Sequence, residues 1–302
     1  MQKMINDLIK NNKVIPITND IVFKNIFEDE EMRGILSFLI YSVTDLSLEE
    51  SYGNIVIENS YIPNNNAYLK QNTADLKVRI DNNTITLEMN STKSMDTQFR
   101  NMTHYHASIV QKLIKSSNIE NIGKVFQISF DNKNYISDDI VSTLMVMDVK
   151  NHVIDPAEAG FKKYRVNLSK VRKKLYNKNV KEINRFERIL YMMSEDNVDE
   201  LRKYAMDDKE LNKMVDKLEK LREDPEFISI ISEDHINKLA TQSAINKAKE
   251  SGLKKGEESG IKKGEELEKK RAAKKMLAEK LDISLISKIT DFTEEEIKSL
   301  EK

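Results

Sequence analysis

Residues 75–90, DLKVRIDNNTITLEMN, hold two alternations of apolar and polar residues separated by a short polar turn. Side chains of a β-strand point alternately to opposite faces, so the pattern predicts a hairpin with strands at Asp75–Ile80 and Thr84–Asn90. Its apolar face has Leu76, Val78, Ile80, Ile85, Leu87 and Met89. Its polar face includes Asp75, Lys77, Arg79, Thr84, Thr86, Glu88 and Asn90. The apolar face predicts a sheet that packs against a core.

The loop decides which polar side chains of this hairpin meet. A two-residue loop at 82–83 places Lys77 opposite Glu88 and Asp75 opposite Asn90, with Cβ atoms about 4.5–5.5 Å apart. Two carboxylates beside an ammonium group are what a hard divalent cation and an activated water require. A solvated polar face with one Lys77–Glu88 ion pair is the alternative interpretation, and spacing alone does not exclude it.

Helical patterns precede the hairpin. Apolar residues at helical spacing follow Thr18-Asn19-Asp20, and a second apolar helix is predicted over Met32–Val43. Asp20 is either an ordinary N-cap, the interpretation we favour, or an acidic residue of the site. Ile55–Ile62 has a strand pattern.

After the hairpin, a helix is predicted over Asp96–Lys115. Its apolar side would contain Phe99, Met102, Ile109, Val110 and Leu113. The apolar runs Lys124–Phe130 and Val141–Val149 are typical of buried strands. From Lys181 onward the pattern is helical, with a break at Pro225. The sequence therefore predicts an α/β region followed by a helical one.

Composition excludes several classes of protein. The chain has 302 residues, no Cys and a formal net charge of −1, which excludes disulfide frameworks, thiolate metal sites and a strongly basic nucleic-acid binder. The apolar run Ile35–Val43 is too short to cross a bilayer. We expect a soluble protein located in the cytoplasm.

In order and spacing, several segments resemble the PD-(D/E)XK nuclease superfamily, and within it the recombination-promoting nuclease (Rpn) or putative transposase branch. These segments are TNDIVFKNIF at 18–27, Asp75, Glu88-Met89-Asn90, Arg100 with Tyr105, INRFERILYMM at 183–193, the glycine repeat and KITDFTEEEIKSL at 288–300. The resemblance implies a restriction-endonuclease-like mixed sheet flanked by helices, and Mg²⁺- or Mn²⁺-dependent hydrolysis of DNA phosphodiester bonds.

The resemblance also implies roles for individual residues. Asp75, Glu88 and the Met89 carbonyl would bind the metal, while Asn90 would orient water and Lys77 would stabilise negative charge on the phosphate. Asn90 departs from the family pattern, which has Lys or Gln there, and Asn carries no charge. The second interpretation is therefore a catalytically degenerate DNA-binding or scaffolding protein of the same fold.

Local charge suggests where DNA would bind. Residues 162–188 contain eleven Lys or Arg and two Glu, a net charge of +9, whereas residues 195–234 have fourteen acidic and seven basic residues, a net of −7. A basic segment can neutralise phosphates, although a solvated helix face is the alternative. The predicted DNA contacts are Gln98 and Arg100 on the helix after the hairpin, and Arg172, Lys173 and Lys174 in the basic segment. His104 and His106 are about 200° apart around their helix, so they are excluded as a metal-binding pair.

Half of the eight glycines lie within thirteen residues. Residues 252–267 read GLKKGEES and GIKKGEEL, and Ala244 and Ala248 extend the spacing of four toward the N-terminus. Small residues four apart form a stripe along one side of a helix, at a cost of about 1 kcal/mol for each glycine relative to Ala. We expect this stripe, at 244–264, to form a homodimer interface, with a charged flexible linker as the alternative.

Three regions are predicted. They are a nuclease-like domain at 1–178, a helical region at 179–235, and the glycine-repeat helix with a small C-terminal helical module at 236–302. The predicted function is a metal-dependent DNA endonuclease that serves recombination, mobile elements or phage defence.

Overall fold

The computed structural model describes residues 2–52, 55–58, 61–62, 72–90, 95–115, 122–132, 139–155, 159–175 and 178–300. The chain divides into two compact units, Met1–Ile231 and Ser232–Lys302. Each unit has a buried apolar cluster of its own. The predicted division into three regions stays a prediction.

All strands of the described residues lie in the first unit. They are β1 (Ile55–Glu58), β2 (Tyr61–Ile62), β3 (Asn72–Thr73), β4 (Leu76–Ile80), β5 (Asn83–Asn90), β6 (Val125–Asp131), β7 (Val141–Leu144), β8 (Met147–Asp148), β9 (Val153–Ile154) and β10 (Phe161–Asn167).

Helices surround the strands and continue into the second unit. They are α1 (Gln2–Lys10), α2 (Asp20–Glu28), α3 (Arg33–Val43), α4 (Leu48–Ser51), α5 (Met95–Lys115), α6 (Leu168–Leu175), α7 (Arg185–Met193), α8 (Val198–Ala205), α9 (Lys209–Glu223), α10 (Pro225–Ala278), α11 (Ile283–Thr290) and α12 (Glu294–Ser299). No helix of the described residues is long and apolar enough to span a membrane.

A mixed sheet of six strands forms the centre of the first unit, in the order β1-β4-β5-β6-β10-β7. Strand β6 runs parallel to both β5 and β10, and the remaining pairs of neighbours are antiparallel. A mixed sheet flanked by helices confirms the predicted fold class.

The two faces of this sheet differ in polarity. Leu76, Val78, Leu87 and Phe130 belong to one buried apolar core with residues of α2 and α3 such as Phe23. On the opposite face, Thr86, Glu88 and Asn90 are buried although they are polar. Residues of α5 cover them, so the polar face becomes an internal polar layer.

Helix α5 is oriented opposite to the prediction. Phe99, Met102, Val110 and Leu113 are exposed by 41–56% of their surface, and the helix instead buries its polar residues. These are Asn101, His104 and Ser108, with Tyr105 beside them. A polar sheet face is best covered by side chains that can hydrogen-bond to it, because a buried polar group without a partner is costly. The predicted apolar side of this helix was therefore wrong.

The predicted buried strand at Val141–Val149 was also wrong. The segment splits into β7 and β8, and Val146 and Val149 are 54% and 79% exposed. Strand β7 lies at the edge of the sheet, and β8 pairs with β9 in a separate two-stranded ribbon, so neither is enclosed on both sides.

Up to residue 300, where the described part of the chain ends, the second unit has helices and no strands. A predicted break is confirmed, since α9 ends at Glu223 and α10 begins at Pro225. The side chains of Ala273, Ile286 and Ile297 form the small core that joins α10, α11 and α12. Thr293 and Glu296 form a capping box at the start of α12.

Candidate active site

The hairpin β4–β5 brings the two predicted carboxylates together, but in another register. Leu76 pairs with Leu87 and Lys77 with Thr86, so the predicted pairing of Lys77 with Glu88 was wrong by two residues. Continued by one residue, the observed register places Asp75 beside Glu88. The loop is Asp81-Asn82, with Asp81 at a φ of 50°, a conformation that Asp and Asn adopt more readily than most residues. A shift of two residues leaves every side chain on its predicted face.

Asp75 directly precedes β4 and is hydrogen-bonded to the neighbouring strand β5. Its Oδ2 accepts a hydrogen bond of 2.7 Å from the backbone N–H of Met89. Burial raises the pKa of Asp75 to about 7, and the negative charges of Glu88 and Asp20 act in the same direction. The Met89 hydrogen bond and Arg100 oppose this change in pKa. Burial and the acidic neighbours of Asp75 thus outweigh the groups that stabilise its charge.

Glu88 is fully buried, and its two carboxylate oxygens have different surroundings. Oε1 lies 2.8 Å from Nδ1 of His104, whereas Oε2 has no hydrogen-bond partner among the described residues. Because a carboxylate can only accept, Nδ1 of His104 is the donor in this contact. One oxygen of Glu88 is therefore fixed by α5, and the other is available to a ligand.

His104 is a site residue that the sequence analysis missed. It was considered only as a partner of His106, which is exposed and whose Nδ1 contacts the carbonyl of Met102. The available signal was the stripe of polar residues at 101, 104 and 108, whose helical spacing indicates one polar side of α5. That this side covers Glu88 is a tertiary contact that spacing does not reveal.

Asn90 belongs to a buried network next to Glu88. Its Nδ2 donates to Oδ1 of Asp131 at 2.7 Å, and its Oδ1 accepts from Nδ2 of Asn101 at 3.1 Å. An amide nitrogen carries two hydrogens, so Asn90 retains a second one for a water or ligand. A cavity of about 30 Å³, large enough for a water molecule, adjoins Asn90 and Gln98.

Asp131 gives this network a dependence on pH. Burial raises its pKa to about 6, while the Asn90 hydrogen bond and Arg165 oppose the change. The folded protein therefore binds a proton here more tightly than the unfolded chain, so its stability decreases as the pH rises from about 4 to about 6. The difference between a pKa of about 4 in the unfolded chain and about 6 in the folded protein corresponds to about 3 kcal/mol, at most, in the free energy of unfolding.

We expect Asp131→Asn to remove the pH dependence of stability that Asp131 causes, because Asn does not titrate. Asn can still accept the hydrogen bond from Asn90, so the network itself should persist. Urea unfolding at pH 4.5 and pH 7 would measure it: the wild type should lose more free energy of unfolding between the two values than the variant does. An equal loss in both proteins would contradict the assignment to Asp131.

Two other predictions about this region receive corrections. The N-cap of α2 is Asn19, whose side chain accepts from the N–H groups of Ile21 and Val22, so the favoured assignment of Asp20 as the cap was wrong. Asp20 is the first residue of the helix, and its charge acts on Asp75. Nζ of Lys77 lies 3.1 Å from Oε2 of Glu58 on β1, so this ammonium group already has a carboxylate partner.

The predicted DNA-contact residues are found in three settings. Gln98 lines the cavity, and Arg100 is exposed but close enough for its charge to affect Asp75. Arg172 and Lys174 form ion pairs of 2.9 Å with Glu195 and Glu187. Lys173 is exposed. Part of the basic segment is thus neutralised, by Glu187 within it and by Glu195 after it.

The donor set suits a magnesium or manganese ion. Asp75 and the unpartnered Oε2 of Glu88 supply oxygen ligands, and a cation would compensate their two adjacent charges. Magnesium is commonly held by one or two carboxylates and retains several waters. The described residues contain no group of three or more His, Cys, Asp or Glu side chains arranged to hold a metal, so main-chain carbonyls and water would complete the coordination.

Comparison with known proteins identifies the family. The model of the PD-(D/E)XK nuclease family transposases matches residues 17–248 of this chain. No curated protein and no solved structure matches it. Nucleases of this family generally use divalent metals. The matched segment contains the whole six-stranded sheet and the Asp75–Glu88 pair, and the chain belongs to the PD-(D/E)XK nuclease family transposases.

Proposed function

We propose that this protein is a metal-dependent DNA endonuclease, with Asp75 and Glu88 as metal ligands. The observation that carries the proposal is the buried, unpartnered Oε2 of Glu88 beside a second carboxylate. A buried charge without a partner is costly, so such a pair persists where a ligand compensates it. Membership of the nuclease family supports DNA as the substrate.

The Met89 carbonyl completes the proposed ligands. Within a β-strand the N–H and C=O of one residue point to the same side, and the N–H of Met89 points at Asp75. Its carbonyl therefore opens toward Asp75 as well. When bound, Mg²⁺ or Mn²⁺ would lower the pKa of water and compensate charge on the phosphate.

The chain's own residues would position the reactants. His104 holds one oxygen of Glu88, which directs the other toward the ligand. Asn90 is held by Asp131 and Asn101, so its second N–H is fixed in direction and could orient a water. The role of Lys77 as a catalytic cation stays a prediction, and its ion pair with Glu58 does not support it.

The test is nicking of supercoiled plasmid by the purified full chain. Relaxed plasmid should appear with Mg²⁺ or Mn²⁺ and should be absent with EDTA. The presence of Asn90 in place of the charged signature residue favours the second candidate, a non-catalytic DNA-binding protein. DNA binding without nicking in either metal would support that candidate and contradict the endonuclease.

A homodimer through residues 244–264 is a further part of the proposal. A Cβ atom placed on Gly252, Gly256, Gly260 or Gly264 would contact none of the described residues, so the stripe is open toward that part of the chain. Leu253 and Ile261 beside it are 66% and 57% exposed. Sedimentation equilibrium at micromolar concentration should give twice the chain mass, and Gly256→Lys/Gly260→Lys should shift it toward the monomer. A monomeric wild type would contradict the dimer.

The biological setting in recombination, mobile elements or phage defence stays a prediction, as does the cytoplasmic location.

A further inference from the structure

Each of the two proposed metal ligands has one carboxylate oxygen that is already hydrogen-bonded within the chain. Oδ2 of Asp75 accepts the backbone N–H of Met89 at 2.7 Å, and Oε1 of Glu88 accepts the Nδ1–H of His104 at 2.8 Å. Oε2 of Glu88 is buried and has no hydrogen-bond partner among the described residues. Each carboxylate therefore offers a cation one free oxygen rather than two.

The contact between His104 and Glu88 is fixed by the way α5 lies on the sheet. The side chain of Asn101 donates to Oδ1 of Asn90 on β5 at 3.1 Å, and its backbone carbonyl accepts from Nε2 of Gln127 on β6 at 2.8 Å. His104 follows Asn101 by three residues, so the two side chains lie on the same side of the helix. The anchored helix thus keeps the buried imidazole of His104 against Oε1 of Glu88.

The number of free carboxylate oxygens bears on which divalent cation fits the site. Ca²⁺ takes about six to eight oxygen ligands and often binds a carboxylate through both oxygens, whereas Mg²⁺ requires an octahedral set and retains several waters. Mn²⁺ also accepts octahedral sites of oxygen ligands. Two carboxylates that bind through one oxygen each leave most positions to water, which suits the octahedral ions. The N–H of His104 on Oε1 of Glu88 therefore acts against Ca²⁺.

We propose that His104 determines the metal specificity of this site, by holding Oε1 of Glu88 so that Glu88 binds a cation through Oε2 alone. The inference rests on the proposed function and deepens it. His104 acts through Glu88 and does not touch the cation, so it is a positioning residue. Without its N–H, both oxygens of Glu88 would lack a partner, and a larger ion that contacts both would be favoured.

The test is the affinity of the purified full chain for Mn²⁺ and for Ca²⁺ without DNA, measured by isothermal titration. His104→Leu removes the donor and should raise the Kd for Mn²⁺ about tenfold, the usual cost of losing a residue that hydrogen-bonds to a metal ligand. The Kd for Ca²⁺ should change by less than about twofold, because binding through both oxygens replaces the lost contact. The ratio of the Kd for Ca²⁺ to the Kd for Mn²⁺ should therefore fall about fivefold or more.

Three further variants separate this role from a structural one. In His104→Asn the donor nitrogen is bonded to Cγ, as Nδ1 is in His, so the ratio should stay within about twofold of the wild type. His104→Met also removes the donor, with a flexible side chain that fills the space, and should lower the ratio as His104→Leu does. Ser108→Ala is the control on the same side of α5. Its buried hydroxyl donates to the carbonyl of His104 within the helix, so its loss should leave the ratio unchanged.

The outcomes distinguish this inference from the endonuclease proposal. An unchanged ratio in both His104→Leu and His104→Met would overturn the role of His104, whatever the plasmid assay gives. An equal fall of the ratio in Ser108→Ala would assign the effect to packing and overturn it as well. If the ratio falls in the two donor-free variants only, but the wild type nicks no plasmid, the endonuclease proposal fails and the specificity role stands. A wild type that binds neither ion would contradict both.

Discussion

Replacing Glu88 by Gln is expected to reduce plasmid nicking about 100-fold or more and to weaken Mn²⁺ binding by at least tenfold. Removing a residue that hydrogen-bonds to a metal ligand typically lowers metal affinity or activity about 10–100-fold. Removing the charge of the ligand itself should lower them at least as much. Gln keeps the size of Glu and can still accept the hydrogen bond from His104, so the change is confined to the charge. Isothermal titration with Mn²⁺ without DNA, together with nicking rates, would measure both effects.

Glu187→Gln is the matched control. Glu187 is also a buried glutamate, but it lies on α7 and pairs with Lys174, so its loss should leave Mn²⁺ affinity and nicking within about twofold of the wild type. Melting curves would show that both variants are folded. Nicking at the wild-type rate by Glu88→Gln would remove Glu88 from the site and with it the basis of the proposed function.

The polar face of the hairpin could be predicted from the sequence, but its exact partners could not. Alternation of residue types determines which face a side chain occupies, and any register shift by two residues preserves it. The choice between registers depended on whether Asp81 or Asn83 belongs to the loop, and both residue types occur in such turns. Hence the prediction that Asp75 and Glu88 lie on one face is confirmed, whereas the predicted cross-strand partner of Lys77 was wrong.

The orientation of α5 shows a second limit of sequence patterns. An apolar stripe normally indicates the buried side of a helix, yet Phe99 and Val110 are exposed here. The sheet beneath α5 presents Glu88 and Asn90, so hydrogen-bonding capacity outweighed hydrophobicity in deciding which side is buried. The polar face predicted for the hairpin and the polar stripe on α5 were both visible in the sequence. Only their contact in the fold shows that they belong together.

The ion pairs of the basic segment could not be predicted for a related reason. Arg172 and Glu195 are 23 residues apart, and net charges of +9 and −7 in adjacent segments do not specify which side chains meet. The structure shows that part of the positive charge is used for contacts within the chain.

Phe23→Ala should lower the free energy of unfolding by about 3–5 kcal/mol, the usual cost of removing a buried Phe side chain. Phe23 is fully buried on α2, with its ring centre 5.0 Å from that of Phe27 and 5.9 Å from that of Phe130 on β6. The contact with Phe130 fastens α2 to the apolar face of the sheet, and α2 carries Asp20, whose charge reaches Asp75. Urea unfolding followed by circular dichroism would measure the loss.

Phe99→Ala is the control with the same chemical change on α5. Phe99 is 56% exposed, and surface substitutions usually change stability by no more than about 0.5 kcal/mol. If Phe99→Ala were as destabilising as Phe23→Ala, α5 would bury its apolar stripe, as its sequence pattern predicts. His104 would then face away from Glu88. The pair of variants thus tests the packing that leaves one oxygen of Glu88 available to a metal.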